Sequence, residues 1–318
     1  MVIENAQTND FEEIVQVLKS SLGEGLLPKS VEYFVWKHIK NPFGKSKMIL
    51  AREEGKIVAV RVFMKWTFAR EGSLVHAVRA VDTSTLPEYQ GKGIFSKLTM
   101  KAVEECKEEG FAMVFNTPNP ISLKGYLKLG WFSNGKMPLY IGLGSVFPSI
   151  NQKNLLTALQ LFDIQKELGK LSVDWQLKNN SNIYRTPLNK EYLSWRYADC
   201  PVATYGALIE PGKFGIIFRL KKAFKFTELR ICETWVEQEE HLIELMHAKK
   251  KIIRKIRPAM VTCSGIFDFD AGSKNPLGLF GPFSKGPLTT LRYLSDESLT
   301  SFKQFESWLP SLGTMELF

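Results

Sequence analysis

A glycine-rich turn stands between a predicted strand and a predicted helix at Pro87–Phe95, whose sequence is PEYQGKGIF. The strand is the β-rich run Ser73–Thr85. The helix is indicated by apolar residues at helical spacing: Ile94, Leu98, Ala102, Val103 and Cys106. Glycines let a backbone approach a ligand, and the first amides of a helix have no partner within it. With Lys92 beside the positive end of the helix dipole, the turn predicts a site for a pyrophosphate.

The turn resembles the coenzyme A pyrophosphate loop of the GNAT acetyltransferases, whose pattern is Gln/Arg-x-x-Gly-x-Gly/Ala. Gln90 takes the first position and Gly93 the fourth. Phe95 departs from the pattern at the sixth position, as bulky residues do in the tandem-repeat GNAT enzymes that acetylate aminoglycosides. On its own, a Gly-Lys-Gly turn is also explained as an ordinary tight turn.

A second match follows the turn. Phe111–Thr117 predicts a short buried strand, and Asn119 then opens a helix that ends near Gly130. Five residues fall on the GNAT pattern Asn-x-x-Ala-x-x-x-Tyr-x-x-x-Gly-Phe, with Ser in place of Ala and Trp in place of Phe: Asn119, Ser122, Tyr126, Gly130 and Trp131. Helix capping alone accounts for Asn119 and Gly130 but leaves Tyr126 unexplained.

The resemblance implies that the chain binds acetyl-CoA. The residues that it assigns to the cofactor are Thr85, Gln90, Gly91, Lys92, Gly93, Ile94, Phe95, Ser96 and Asn119. The catalytic residues that it implies are Tyr126, Asn119 and Thr83. Tyr126 would protonate the departing thiolate, because a phenol with an unperturbed pKa of about 10 keeps its proton at neutral pH. The backbone amides of Thr83 and Thr85 would polarise the acyl oxygen. A tyrosine that only packs on the sheet is the alternative.

The sequence does not identify the general base. Arg79 occupies the strand position at which histone-acetylating relatives carry a catalytic Glu, so that base is absent. The remaining candidates are His76, Asp82, Glu32, a terminal carboxylate at Phe318 and a chain of water molecules.

Composition and charge argue against several other functional classes. The four cysteines form no C-x-x-C pair and the four histidines show no ligand spacing with them, so we expect neither a metal site nor a disulfide. Apolar runs are too short for a membrane span and the N-terminus is too acidic for a signal peptide, so we expect a cytoplasmic protein. The net charge of +9 gathers partly at Lys249–Arg257, which follows Glu239–Glu244 on one predicted helix. That order is typical of a solvated helix and does not favour nucleic-acid binding.

The chain also contains an internal repeat. Segments 31–42 (VEYFVWKHIKNP) and 190–201 (KEYLSWRYADCP) share Glu, Tyr, Trp and Pro at one fixed offset. We therefore expect an α/β (α+β) fold of two GNAT-like domains, each with a mixed, mostly antiparallel sheet flanked by helices. The expected limits are 1–147 for the first domain, 148–185 for a helical linker and 186–318 for a degenerate second domain.

Only the first half is expected to bind coenzyme A. The equivalent of the phosphate loop in the second half is Glu237–His241, which offers no glycine and would repel a pyrophosphate. Three further elements are expected in the second half of the chain: a helix over 151–171, a last strand near 289–294 and a closing helix over 301–309.

The predicted function is transfer of an acetyl group from acetyl-CoA to a primary amine of a small molecule or peptide, by direct attack in a ternary complex. One alternative is an aminoacyl or peptidyl transferase resembling the FemABX enzymes, which use aminoacyl-tRNA; the basic charge would suit it. Another alternative is a protein that binds an acyl-CoA as a regulatory ligand.

Overall fold

A computed structural model of the chain describes residues 1–22, 28–149, 157–178, 183–223, 226–264, 277–295, 302–303, 305 and 307–315. Its strands are β1 (Val2–Asn5), β2 (Lys47–Glu53), β3 (Lys56–Arg70), β4 (Ser73–Thr85), β5 (Met113–Asn116), β6 (Phe132–Lys136), β7 (Leu139–Leu143), β8 (Tyr184–Arg185), β9 (Gly206–Glu210), β10 (Phe214–Ala223), β11 (Phe226–Val236), β12 (Met260–Ser264), β13 (Phe280–Phe283), β14 (Leu288–Tyr293) and β15 (Trp308–Leu309). The helices are α1 (Phe11–Leu22), α2 (Val31–His38), α3 (Ile94–Glu108), α4 (Pro120–Lys128), α5 (Ile164–Gly169), α6 (Lys190–Leu193), which runs into a π-helical turn at Ser194–Ala198, and α7 (Leu242–Ile256).

Two mixed sheets form the frame. The first has the order β1-β2-β3-β4-β5-β14-β6, with β8 and β15 beside one end of β3, and the second has the order β13-β7-β12-β11-β10-β9. Most pairs are antiparallel, but β4 pairs with β5, β11 with β12 and β8 with β15 in parallel. A parallel pair needs a crossover connection, which α3 supplies between β4 and β5 and α7 supplies between β11 and β12. The predicted fold class, with two mixed and mostly antiparallel sheets flanked by helices, is confirmed.

Helices cover both faces of the first sheet. Apolar residues of α1 and α2 pack on one face of β2 and β3, with Ile14 and Phe34 among the buried side chains. On the opposite face, α3 and α4 bury Leu98 and Tyr126 against β3, β4 and β5. The glycine-rich turn therefore lies between the carboxyl end of β4 and the N-terminus of α3.

The two sheets exchange one strand each. β7 follows β6 in the chain but pairs with β12 in the second sheet. β14 comes from the C-terminal part of the chain but lies between β5 and β6 in the first sheet. The sheets therefore do not follow the predicted boundary at residue 147, and the limits 1–147, 148–185 and 186–318 remain a prediction about sequence segments.

Two expected helices differ in the structure. The helix expected over 151–171 is interrupted, because the side chain of Asp163 caps a separate helix, α5, by accepting a hydrogen bond from the Lys166 amide at 2.8 Å; residues 150–156 lie outside the described part. The closing helix expected over 301–309 is wrong at its end. There Trp308–Leu309 forms β15, because the fully buried Trp308 ring packs against Phe68 and Phe115 of the first sheet.

The sequence repeat appears in the structure as a reciprocal contact. Trp36 and Trp195 are separated by 159 residues, and their rings stack with centroids 5.2 Å apart. The indole Nε1 of Trp36 donates to the carbonyl oxygen of Trp195 at 2.8 Å, and Nε1 of Trp195 donates to the carbonyl oxygen of Trp36 at 2.9 Å. Both rings are buried, so each N–H needs such an acceptor. The contact has the form of a two-fold interface within one chain.

We predict that Trp36→Phe lowers the free energy of unfolding by about 1–3 kcal/mol beyond the effect of a smaller ring, because the buried carbonyl oxygen of Trp195 loses its donor. Denaturant titration of both proteins measures the difference. Trp131→Phe is the matched control: Trp131 is 3% exposed, and its Nε1 has no hydrogen-bond partner among the described residues. Equal losses in the two variants would mean that the reciprocal hydrogen bonds do not stabilise the fold.

Candidate active site

The glycine-rich turn presents open backbone at the start of α3. After a 3-10 turn at Pro87–Tyr89, Gly91 and Gly93 adopt left-handed conformations with φ of 76° and 73°. A side chain would be strained there, and no atom lies within 4 Å of where a Cβ would stand. Gly93 is the N-cap of α3 and has no side chain with which to cap the helix. The first amides of α3 therefore have no capping side chain, and the space beside Gly91 and Gly93 is open, as an anion-binding helix terminus requires.

Beside the turn, β4 continues beyond the end of its parallel neighbour. β4 pairs with β5 only over Ala77–Arg79, opposite Met113–Phe115, and then continues to Thr85, whereas β5 ends at Asn116. A β-bulge opposite Arg61 sets Asp82, with φ of 35°, out of register. The later part of β4, at the level of Thr83, therefore has a backbone edge that β5 does not pair.

Tyr126 on α4 lies beside this part of β4. Its ring is 4% exposed and meets the ring of Phe95 edge-on, with centroids 5.6 Å apart. Phe95 fits there because residue 125 is glycine: a Cβ on Gly125 would come within 3.0 Å of the Phe95 ring. The bulky residue at the sixth position of the loop thus joins the first turn of α3 to Tyr126.

Arg61 on β3 completes the group, and the sequence reasoning missed it. Its guanidinium Nη1 donates to the hydroxyl oxygen of Tyr126 at 2.7 Å and to Oγ1 of Thr83. The side chain is fully buried. Arg61 interrupts the apolar run IVAVRVF of β3, and a single charge within such a run is the signal that could have identified it.

A family model described as an acetyltransferase (GNAT) domain matches residues 2–133. Residues 2–133 therefore form a GNAT acetyltransferase domain. This domain holds the glycine-rich turn, β4, β5 and α4, and it places the chain in the class of N-acyltransferases. The chain matches no curated protein.

Solved structures share the fold over both halves of the chain. A probable N-acyltransferase from Enterococcus faecalis is 10% identical, with a TM-score of 0.63 over 92% of this chain and 72% of that one. A GCN5-related N-acetyltransferase from Anabaena variabilis is 12% identical, with a TM-score of 0.60 over 92% and 73%. Eis1 from Mycobacterium abscessus is 11% identical, with a TM-score of 0.55 over 94% and 75%. At these identities the likeness concerns the fold.

The structure places the other predicted GNAT positions as follows. Asn119 is exposed and caps α4, its Oδ1 accepting from the Ser122 amide at 2.8 Å, so its amide nitrogen is the part left for a ligand. Gln90 donates to the carbonyl oxygen of Thr85 at 3.1 Å, which fixes the loop to the end of β4. Ile94 is buried in the core, so only its backbone is available. The assignment of these residues to the cofactor remains a prediction.

The candidate bases lie away from the Tyr126 hydroxyl. His76 comes seven residues before Thr83 on β4, which corresponds to about 23 Å along a strand. Glu32 lines a separate cleft of about 320 Å³ beside Trp36 and Trp195. Phe318 lies outside the described residues.

Asp82 is engaged in an ion pair. Its Oδ2 lies 2.7 Å from Nζ of Lys37 and 2.8 Å from Nε2 of His38. Burial opposes ionisation of this carboxyl, but Lys37 and His38 outweigh burial and lower its pKa far below the ordinary value. A carboxylate so stabilised is a poor proton acceptor at neutral pH, which weakens Asp82 as a candidate base.

Arg79 is also committed to structure. It is 4% exposed, and its Nη2 donates to Oγ1 of Thr117 at 3.2 Å and to the carbonyl oxygen of Met315. It therefore links the point where the pairing of β4 with β5 ends to the C-terminal segment.

Among the described residues no helix is both long and apolar enough to cross a bilayer.

The second half has a related arrangement of buried polar groups. Tyr197, which follows His38 by the same 159 residues, donates to Oε2 of Glu233 on β11 at 3.0 Å. Ser311 donates to the same oxygen at 2.8 Å. Burial raises the pKa of Glu233 to about 7, against the opposing effect of these hydrogen bonds and of Arg196. In both halves the end of the tryptophan helix thus contacts a carboxylate on the strand beside it.

We predict that Glu233→Gln raises the thermal midpoint, and raises it more at pH 8 than at pH 5. Because the pKa of Glu233 in the fold, about 7, exceeds the ordinary value of 4.5, the folded state holds the extra proton between these values. Stability is therefore fully present below pH 4.5 and falls as pH rises to about 7. Glutamine keeps the acceptor oxygen and removes the ionisation. Thermal unfolding across this range measures the gap, and a gap that does not change with pH would contradict the prediction.

Proposed function

We propose that this chain transfers an acyl group, with acetyl as the expected group, from coenzyme A to a primary amine of a small molecule or peptide. The observation that carries the proposal is a series of contacts between side chains. Phe95, on the first turn of the predicted pyrophosphate site, touches Tyr126, and the Tyr126 hydroxyl lies against the Arg61 guanidinium that also binds Thr83. The predicted phosphate site, a proton donor and the part of β4 that β5 does not pair are thereby adjacent.

These groups suit a direct transfer. The amine nitrogen attacks the acyl carbon, and the carbonyl electron pair moves to oxygen, where the amides of Thr83 and Thr85 would stabilise it. When the carbonyl re-forms, the C–S bond breaks and the departing sulfur takes the hydroxyl proton of Tyr126. The surplus proton of the new amide leaves through water, and Tyr126 regains a proton from the same solvent. The products are the N-acyl amine and free coenzyme A.

The relatives support the same class of reaction. The proteins from Enterococcus faecalis and Anabaena variabilis are named as an N-acyltransferase and an N-acetyltransferase, and they share the fold across 92% of this chain. Neither name states an acceptor that could be carried over. At the equivalent position of the second half, Glu239–His241 forms the turn before α7, and the segment Glu237–His241 contains no glycine, so we expect no phosphate loop of this kind there. We therefore propose a single coenzyme A site.

We predict that Gly93→Asp abolishes binding of acetyl-CoA, because it adds a side chain and a negative charge where the pyrophosphate would lie. Isothermal titration calorimetry measures the affinity. Gly72→Asp is the matched control: Gly72 has φ of 78° and equally open surroundings, but it lies in the turn between β3 and β4. It carries the same backbone strain and should bind acetyl-CoA normally.

Unchanged affinity in Gly93→Asp would remove the cofactor assignment. Failure of the wild-type chain to bind acetyl-CoA, together with binding of aminoacyl-tRNA, would favour the aminoacyl transferase. Binding of acetyl-CoA without turnover of any amine would favour the regulatory protein.

We predict that Tyr126→Phe lowers kcat by roughly 10² to 10⁴ and leaves acetyl-CoA affinity nearly intact. Phenylalanine keeps the ring against Phe95 and removes only the proton donor. Steady-state kinetics with any amine that turns over gives the comparison. Tyr140→Phe, which removes a hydroxyl from β7 in the second sheet, is the control and should keep wild-type turnover. Turnover within a few-fold of wild type in Tyr126→Phe would leave the tyrosine a packing role only.

A further inference from the structure

We propose that Arg61 is a positioning residue for Tyr126, with its charge held where negative charge develops during acyl transfer. The inference rests on the proposed function, because it assigns a partner to the proposed proton donor. Nothing in the phosphate-loop pattern or the Tyr126 pattern includes this position on β3. It comes from the geometry of one buried guanidinium.

The guanidinium lies inside an aromatic cage. Its central carbon is 4.8 Å from the ring centroid of Phe63, 5.1 Å from that of Tyr126 and 5.5 Å from that of Phe95. Arg61 itself is fully buried. Cation–π contacts of this kind partly replace hydration, but they supply no counter-charge. The cage therefore holds the charge in place without neutralising it.

The hydrogen bonds of Arg61 leave its charge uncompensated. Nη1 donates to the hydroxyl groups of Tyr126 and Thr83, whereas Nε and Nη2 are buried and have no partner in the described part of the chain. Lys37, another buried cation of this domain, is paired with the carboxylate of Asp82. Burying a charge without a counter-ion is strongly unfavourable, so a fold selected for stability alone would place an apolar residue at position 61.

The direction of the hydrogen bond fixes what Tyr126 can do. Because Arg61 donates to the phenolic oxygen, the hydroxyl hydrogen of Tyr126 cannot point toward Arg61 and is directed to another acceptor. In the transfer step that acceptor is the departing sulfur. When the proton has moved, the phenolate oxygen already holds a charge-assisted hydrogen bond from Nη1, so no rearrangement is needed.

The second hydrogen bond extends the effect to the acyl group. Thr83 is the strand residue whose amide we assign to the acyl oxygen, and its side chain is held by the same Nη1. One guanidinium thus fixes the relative position of the proton donor and of the strand edge. Both groups face charge that is absent in the substrate and present in the transition state, which is the condition for catalysis by a preorganised charge.

The experiment is a double-mutant cycle. Arg61→Met removes the charge and the hydrogen bonds while keeping a similar apolar stem, and Arg61→Lys keeps the charge but loses the planar geometry. Each is made in the wild-type chain and in Tyr126→Phe. Release of the coenzyme A thiol from acetyl-CoA is followed with water and with hydroxylamine as acceptors, alongside acetyl-CoA affinity by calorimetry and the thermal midpoint. Lys65→Met, on the same strand but paired with Glu109, is the control and should be unchanged in rate.

We expect Arg61→Met to lower the rate by about 10²-fold in the wild-type chain, the usual effect of losing one preorganised donor, and by no more than a few-fold in Tyr126→Phe. Acetyl-CoA affinity should be kept. The thermal midpoint should stay level or rise, because an uncompensated buried charge has been replaced by an apolar side chain. Arg61→Lys should fall between wild type and Arg61→Met in rate, and it carries the comparison if Arg61→Met does not fold.

Two results would overturn the inference while leaving the proposed function intact. One is an equal loss of rate from the Arg61 variants in both backgrounds, which would show that Arg61 does not act through Tyr126. The other is a thermal midpoint of Arg61→Lys that falls together with its rate, which a structural role predicts. A wild-type chain that does not bind acetyl-CoA would instead overturn the proposed function and this inference together.

Discussion

The reciprocal pairing of Trp36 with Trp195 is the contact on which the arrangement of the two halves depends. A buried indole N–H must find an acceptor, and each ring finds it on the backbone of the other. The pairing fixes where α2 crosses the helix that follows α6. The largest core cluster is built around it and takes Trp66 from the first sheet and Trp235 from the second. The GNAT domain is therefore packed against its neighbour through a shared core, and the two do not meet through a surface contact alone.

Contacts from the second half of the chain also support the strands beside the candidate active site. β14 closes the first sheet beside β5, and its Thr290 donates to Oδ1 of Asn116 at the end of β5, 2.5 Å away. Arg79 ties the point where the pairing of β4 with β5 ends to the carbonyl oxygen of Met315. Both contacts come from the second half of the chain. The second half of the chain thus contacts the ends of the strands beside which the first half is proposed to bind its cofactor.

Much of the candidate site could be predicted from the sequence because its parts are local. The left-handed glycines at 91 and 93 and the Asn119 cap lie within a few residues of the helices that they start, so a single segment encodes them. The 159-residue repeat was visible for a similar reason, since a tryptophan and its neighbours kept one spacing. These features depend on chain geometry over one or two turns.

The parts that escaped prediction are set by contacts distant in sequence. Arg61 meets Tyr126 across 65 residues, and no spacing rule connects a strand to a helix that follows two further strands along the chain. β7 and β14 each read as an ordinary strand, and nothing in a strand's own sequence states which of two similar sheets will pair with it. The break before α5 was missed although its cause is local. The apolar pattern continues across residue 163, but the capping side chain of Asp163 starts a separate helix there.

The exchanged strands determine how the first sheet can assemble. β5 and β6 do not pair with each other; both pair with β14, which is synthesised only after nearly the whole second half of the chain. Until then, each presents an unpaired backbone edge, the kind of surface on which chains associate wrongly. Pairing across so long a loop is also slow. For this sheet the order of folding therefore cannot follow the order of synthesis, because strands made before the second half of the chain are completed only after it.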